Sequence, residues 1–102
     1  MKYVIVRYKV KPERGAENEE LVRAVYAELH ETKPARLRYA TFQLDDGVSF
    51  VHVASTDTED GPSPLSDVTA FKRFQENIDD RYDEGPVVSS VREIGPYRLF
   101  AE

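Results

Sequence analysis

The stretch from Leu37 to Ser55, LRYATFQLDDGVSFVHVAS, leaves this chain little freedom in how it folds. It reads as two strands around Asp46-Gly47, because a tight hairpin turn needs positive φ and Gly adopts it without steric cost. The register is open. A two-residue turn sets Phe42 opposite Val51 and Thr41 opposite His52, whereas a three-residue turn including Asp45 sets Phe42 opposite Phe50 and Ala40 opposite His52. Under either, both faces carry apolar residues: Val48, Phe50 and Ala54 on one, Val51 and Val53 on the other. A sheet with one face under helices and the other in water alternates more strictly. The second face is therefore expected to be covered too.

The flanking segments supply matching elements. Lys2 to Val10 alternates, with Val4, Val6, Tyr8 and Val10 on one side and Tyr3, Ile5, Arg7 and Lys9 on the other, until Lys11-Pro12 stops the strand. From about Glu13 or Glu17 to Thr32 the period turns helical, with Leu21, Val22, Val25, Tyr26 and Leu29 on one stripe. Acidic residues in its first turns suit the helix dipole, Glu19 and Arg23 form an i,i+4 pair, and Lys33-Pro34 ends it. Thr56 to Ser66, TDTEDGPSPLS, is the long loop, a connector or a lid. Ser66 or Ser63 is placed to cap a second helix, whose stripe of Val68, Phe71, Phe74, Ile78 and Tyr82 runs to about Arg81 before Gly85-Pro86 terminates it. Val87 to Ile94 is a fourth strand, and Tyr97 to Phe100 a short fifth.

The order βαββαβ is the split βαβ, or ferredoxin-like, arrangement: an α+β fold with an antiparallel four-stranded sheet and both helices on one face. One domain spans residues 1–102, since 102 residues with 40% hydrophobic and 32% charged side chains suit a single small core. A chain this size gains burial from a partner subunit. The partly apolar far face predicts a homodimer packed sheet to sheet.

A net charge of −5 argues against polyanionic partners. RNA-recognition motifs share this element order, and Asp46 to Val53 matches their strand-three signature at Gly47, Phe50 and Val51, but it lacks the leading basic residue and two of the three aromatics. No nucleic-acid partner is expected. With no Cys there is no disulfide framework, thiolate metal site or cysteine nucleophile. The Met1-Lys2-Tyr3 start has no apolar signal region, and no segment approaches the roughly 18 to 20 apolar residues of a membrane span. A cytoplasmic protein without a membrane partner is the expectation.

Among chemistry-bearing residues, His30 and His52 are far apart and have no metal-ligand spacing, so no metal is expected. His30 suits the end of the first helix as a dipole partner. His52 sits between Val51 and Val53 on a rigid strand, where an imidazole can act as a general base toward a phenol or an activated carbon acid; the bland alternative is a hydrogen-bonded sheet or interface residue. No acid in the sequence is placed to orient it. Tyr8, Tyr26, Tyr39, Phe42, Phe50, Phe71 and Phe74 can together wall an apolar cavity, or simply form core. Arg7, Arg38 and Arg92 lie in strands among apolar neighbours, suited to hold an anion or to pair across a dimer. No phosphate-binding glycine loop, dinucleotide fingerprint or nucleophile elbow occurs.

The strand ending Val10-Lys11-Pro12, a helix, Lys33-Pro34-Ala35-Arg36-Leu37-Arg38-Tyr39, the hairpin, a second amphipathic helix and a last strand resemble the dimeric α+β barrel superfamily, and within it antibiotic-biosynthesis-monooxygenase (ABM) domains. Ala35 stands where the family's loose Pro-Gly, apolar, x, Tyr motif has Gly. The resemblance implies a homodimer with a pocket in each subunit between helices and sheet. It also implies cofactor-independent monooxygenation, in which a deprotonated, electron-rich aromatic or polyketide-like substrate reacts with dioxygen directly. Such sites commonly use Trp, Tyr, Asn, Arg or His; this chain has no Trp, and Asn18 and Asn77 are both in predicted helices. The haem-degrading branch needs a histidine on helix two, and Val68 to Tyr82 contains none. The expected site is thus His52 as base, Tyr39 as its hydrogen-bond partner and Arg92 or Arg38 as anion stabiliser, with a small apolar or aromatic molecule as ligand and no cofactor. The rival expectation is a non-catalytic dimeric ligand-binding or protein-interaction module.

Overall fold

The alternating segments form four strands: β1 (Lys2–Val10), β2 (Leu37–Gln43), β3 (Ser49–Thr56) and β4 (Tyr82–Val91). In this computed structural model, which describes residues 2–34, 37–56 and 64–97, they pair antiparallel in the order β2-β3-β1-β4. A 3-10 turn at Pro12–Arg14 leads into α1 (Gly15–Thr32), and a second at Pro64–Asp67 into α2 (Thr69–Gln75) and a one-turn α3 (Ile78–Arg81). This is the ferredoxin-like α+β topology, with both crossovers on one side of the sheet. The long loop expected at 56–66 falls largely on residues 57–63, outside those described, as do Ser63 and most of the expected fifth strand.

The hairpin takes the register that puts Phe42 opposite Val51 and Thr41 opposite His52. Its tip is closed by bonds from Leu44 N–H to the Ser49 carbonyl (2.9 Å) and from Gly47 N–H to the Leu44 carbonyl (3.0 Å), with Gly47 at φ 77. Asp46 sets this geometry: its Oδ1 accepts from the Val48 and Ser49 amides and its Oδ2 from the Ser49 hydroxyl. Those bonds, the hydroxyl's first, hold its carboxyl below the usual range. The tip also meets the start of α1. A Cβ on buried Gly15 would stand 2.8 Å from the Gly47 carbonyl oxygen, so only glycine lets the two backbones approach.

Pairing fixes the faces. Tyr8 and Val10 of β1 and Phe50 of β3 join Val22, Val25, Leu65, Val68 and Phe74 in the buried core under the helices. Ile5, Ala40, Val51 and Val53 lie on the opposite face, where none joins that core.

Three expectations change. The second helix does not run unbroken to Arg81: Asn77 adopts left-handed φ 55, and the Arg81 guanidinium donates to the Phe74 and Glu76 carbonyls, satisfying acceptors that the break leaves exposed. The N-cap position of α2 is not Ser66. The N-cap residue is Val68, and the Glu28 carboxylate of α1 accepts from the Thr69 and Ala70 amides at 2.9 and 2.8 Å. Gly85-Pro86 lies inside β4, where pairing with β1 shifts register between Arg7 and Lys9; an edge strand tolerates a proline and a bulge there.

Candidate functional site

His52 stands on β3 between its cross-strand partners Val6 of β1 and Thr41 of β2, with its side chain under the helices and 6% exposed. Both ring nitrogens are engaged. The Tyr39 hydroxyl lies 2.6 Å and the Thr41 hydroxyl 3.2 Å from Nδ1, and the Tyr8 hydroxyl lies 2.8 Å from Nε2. The chain of contacts continues both ways. Beyond Tyr8, Asn18 Nδ2 donates to the phenol oxygen (2.9 Å), and Arg81 Nε donates to Asn18 Oδ1 (3.2 Å). Beyond Thr41, the Tyr26 hydroxyl lies 2.8 Å from Oγ1.

Burial sets the protonation states. Desolvation pushes the His52 pKa down to about 4, so the imidazole is neutral at pH 7. It also pushes the Tyr8 and Tyr39 phenols well up, keeping both protonated. Arginine only donates, so Asn18 turns its oxygen to Arg81 and its amide protons to Tyr8. The arrangement that uses Tyr8's own proton has it donated to Nε2, which leaves the neutral ring's proton on Nδ1, facing Tyr39 and Thr41. His52 thus meets that side as a hydrogen-bond donor at rest.

Two open clefts flank this chain along the seam of α1 and β2. One, of about 190 Å³, is lined by Leu29, Lys33, Leu37 and Tyr39; the other, of about 260 Å³, by Val22, Thr41, Gln43 and Phe50. Tyr26 lines both. Its ring stacks on Tyr39, with centroids 5.4 Å apart and planes 16° apart.

No protein-family profile and no curated protein matches the sequence. Solved structures do. An antibiotic biosynthesis monooxygenase aligns at TM-score 0.70 and 22% identity, covering 93% of this chain and 100% of its own. A candidate antibiotic biosynthesis monooxygenase from Nitrosomonas europaea aligns at TM-score 0.74 and 18% identity over the same shares. Another from Caulobacter crescentus aligns at 0.66 and 18%, covering 92% and 90%. The chain has an ABM-like fold.

Within this ABM-like fold, Tyr39 and His52 come together and the two arginines do not join them. Arg38, next to Tyr39 on β2, faces the other side of the sheet and is exposed; Arg92 is exposed beyond the end of β4. Phe42, paired with Val51, is on the far face rather than in the aromatic wall. Among the described residues no group of three or more potential ligands could hold a metal ion, and no helix is long and apolar enough to cross a membrane. The residues that sequence reasoning did not assign to His52 were Tyr8, Asn18 and Arg81; Thr41 is the cross-strand neighbour that one of the two hairpin registers offers. Asn18 extends the stripe of α1 by one turn and Arg81 falls within that of the second helix, three residues after Ile78, and a polar residue on such a stripe is the signal that marks them.

Proposed function

We propose that this chain is a homodimeric small-molecule-binding protein that oxidises an aromatic or polyketide-like substrate without a cofactor, at the α1–β2 seam. The observation that carries this is the buried, neutral His52, joined through Tyr39 and Thr41 to two open clefts. The ligand lies against Tyr39, and its proton reaches His52 through the Tyr39 or Thr41 hydroxyl, each of which passes its own proton to Nδ1 as it takes up the ligand's. Acceptance requires the ring to switch tautomer, with Nε2–H donated to Tyr8, whose oxygen then accepts from Asn18 as well. A pKa of about 4 makes the resting ring a weak base. A substrate anion beside it raises that value by pairing with imidazolium. For an activated methylene the step balances as follows: carbon loses two hydrogens and gains one oxygen atom as a carbonyl, and the second oxygen atom of O2 leaves as water. The homodimer is supported by Ile5, Val51 and Val53 on the far face and by exposed Val87 (53%) and Ile94 (93%) on and after β4.

Oxygen uptake with an anthrone and hydroquinone panel tests the chemistry. His52→Ala is expected to lower the rate about 100-fold or more, as for loss of a general base; equal rates would remove His52 from the reaction. Sedimentation at micromolar concentration tests the assembly, and a monomer there contradicts the dimer. A binding-only module is favoured by one fact: His52 already has partners at both nitrogens, as a buried structural imidazole does. Saturable ligand binding without oxygen uptake would establish that reading.

A further inference from the structure

Tyr26 is the side chain shared by the two clefts, and its surroundings are those of a bound phenol. Its ring stacks flat on Tyr39, and its hydroxyl bonds Thr41 Oγ1, which is itself 3.2 Å from His52 Nδ1. We infer that Tyr26 is a built-in occupant of the ligand position: it divides one elongated groove into two clefts, and the ligand that displaces it is a planar hydroxyarene. The inference rests on the reading that the α1–β2 seam is the ligand site, and it narrows the ligand class.

The argument is one of matching chemistry. A ligand that takes Tyr26's place must recover both a stacking contact on Tyr39 and a hydrogen bond to Thr41; a flat ring bearing a hydroxyl recovers both, whereas an aliphatic carboxylate recovers only the hydrogen bond and an alkyl chain neither. Burial holds the Tyr26 phenol above its ordinary pKa, so it meets Thr41 as a neutral hydroxyl. An arene hydroxyl in the same position lies one hydroxyl away from the buried imidazole. Displacement also joins the cleft lined by Leu29 and Leu37 to the one lined by Val22 and Phe50, giving room for more than one ring.

The test is equilibrium titration with 2-naphthol, read by its own fluorescence in a protein with no Trp. Tyr26→Phe keeps the stack and loses the hydroxyl; Tyr26→Ala loses both. The expected order of affinity is wild type, then Tyr26→Phe, then Tyr26→Ala, the last about tenfold or more tighter than wild type, as removal of a competing stack and hydrogen bond requires. Adding Thr41→Val to Tyr26→Ala should reverse most of the gain, and naphthalene, which has no hydroxyl, should gain much less than 2-naphthol. The inference is overturned if neither Tyr26 variant binds 2-naphthol tighter than wild type. It is overturned equally if naphthalene gains as much, because the truncation has then only made an apolar hole. Its failure is separable from that of the oxygenase reading. Tighter hydroxyarene binding without oxygen uptake upholds the displacement and removes the oxygenase, whereas unchanged binding with His52-dependent oxygen uptake does the opposite.

Discussion

The two faces of this sheet are built from the same alternating strands, yet they carry different kinds of order. On the covered face, Tyr8, Phe50 and His52 are buried, Phe50 stacks on Tyr8, and Tyr8 and His52 are hydrogen bonded into a line that runs from Arg81 to Tyr26. On the far face, Ile5, Ala40, Val51 and Val53 are only partly buried, and neighbouring Val87 of β4 is 53% exposed. The difference teaches that alternation divides the work. One face uses its apolar area to enclose polar groups, and the other leaves apolar area that this subunit's own helices do not cover.

Breaking the covered face should have the largest effect. Phe50→Ala removes a ring that is 2% exposed and stacks on Tyr8, with centroids 5.7 Å apart, and should cost about 3 to 5 kcal/mol in urea unfolding. A loss under about 1 kcal/mol would mean that the core closes over the gap. The pH dependence comes next. His52 titrates at about 4 when folded and near 6.5 when unfolded, so between these values the unfolded chain binds more protons. Stability should therefore fall as pH drops from about 6.5 to 4, by about 3 kcal/mol in all, and this contribution should level off below pH 4. Subtracting the curve of His52→Gln isolates the contribution from the carboxylates; parallel curves would show that water reaches the ring.

Smaller effects sharpen the contrast. Gly15→Ala drives a methyl against the Gly47 carbonyl and should cost about 1 to 2 kcal/mol, less than overpacking alone because alanine is the better helix former. On the far face, Val87→Glu places a carboxylate opposite Arg7 and should change monomer stability by no more than about 0.5 kcal/mol. It should nonetheless shift sedimentation toward monomer. A stable dimer in that variant would move the subunit contact away from this part of the sheet.

Much of the architecture was legible because pattern and turn chemistry agree: period two in β1 and the hairpin, period 3.6 in α1, and Asp46-Gly47 at the tip. The register was not, because both options put apolar side chains on both faces; the Asp46 carboxylate, bonded to the Val48 and Ser49 amides, shapes the tip that accompanies the one adopted. Helix two was misread for a related reason. Its apolar stripe continues across Asn77, and only the Arg81 contacts with Phe74 and Glu76 show how a break is accommodated. Of the site, the Tyr39–His52 contact was accessible to reasoning. So was the exclusion of Arg38, since adjacent strand residues face opposite ways and Arg38 cannot share a face with Tyr39. Tyr8, Asn18 and Arg81 come from three distant segments, and nothing short of the folded topology brings them to one imidazole.

The approach of Gly15 to Gly47 has a mechanical consequence. It pins the first turn of α1 to the hairpin tip, while the other end of the helix finishes at Lys33, in left-handed φ 47, beside the smaller cleft. Between those ends, Tyr26 stacks on Tyr39 and the Glu28 carboxylate holds the Thr69 and Ala70 amides, so the one helix is tied in turn to the hairpin tip, to β2 and to α2, and a shift of the tip at Gly47 is passed along a rod that all three elements share.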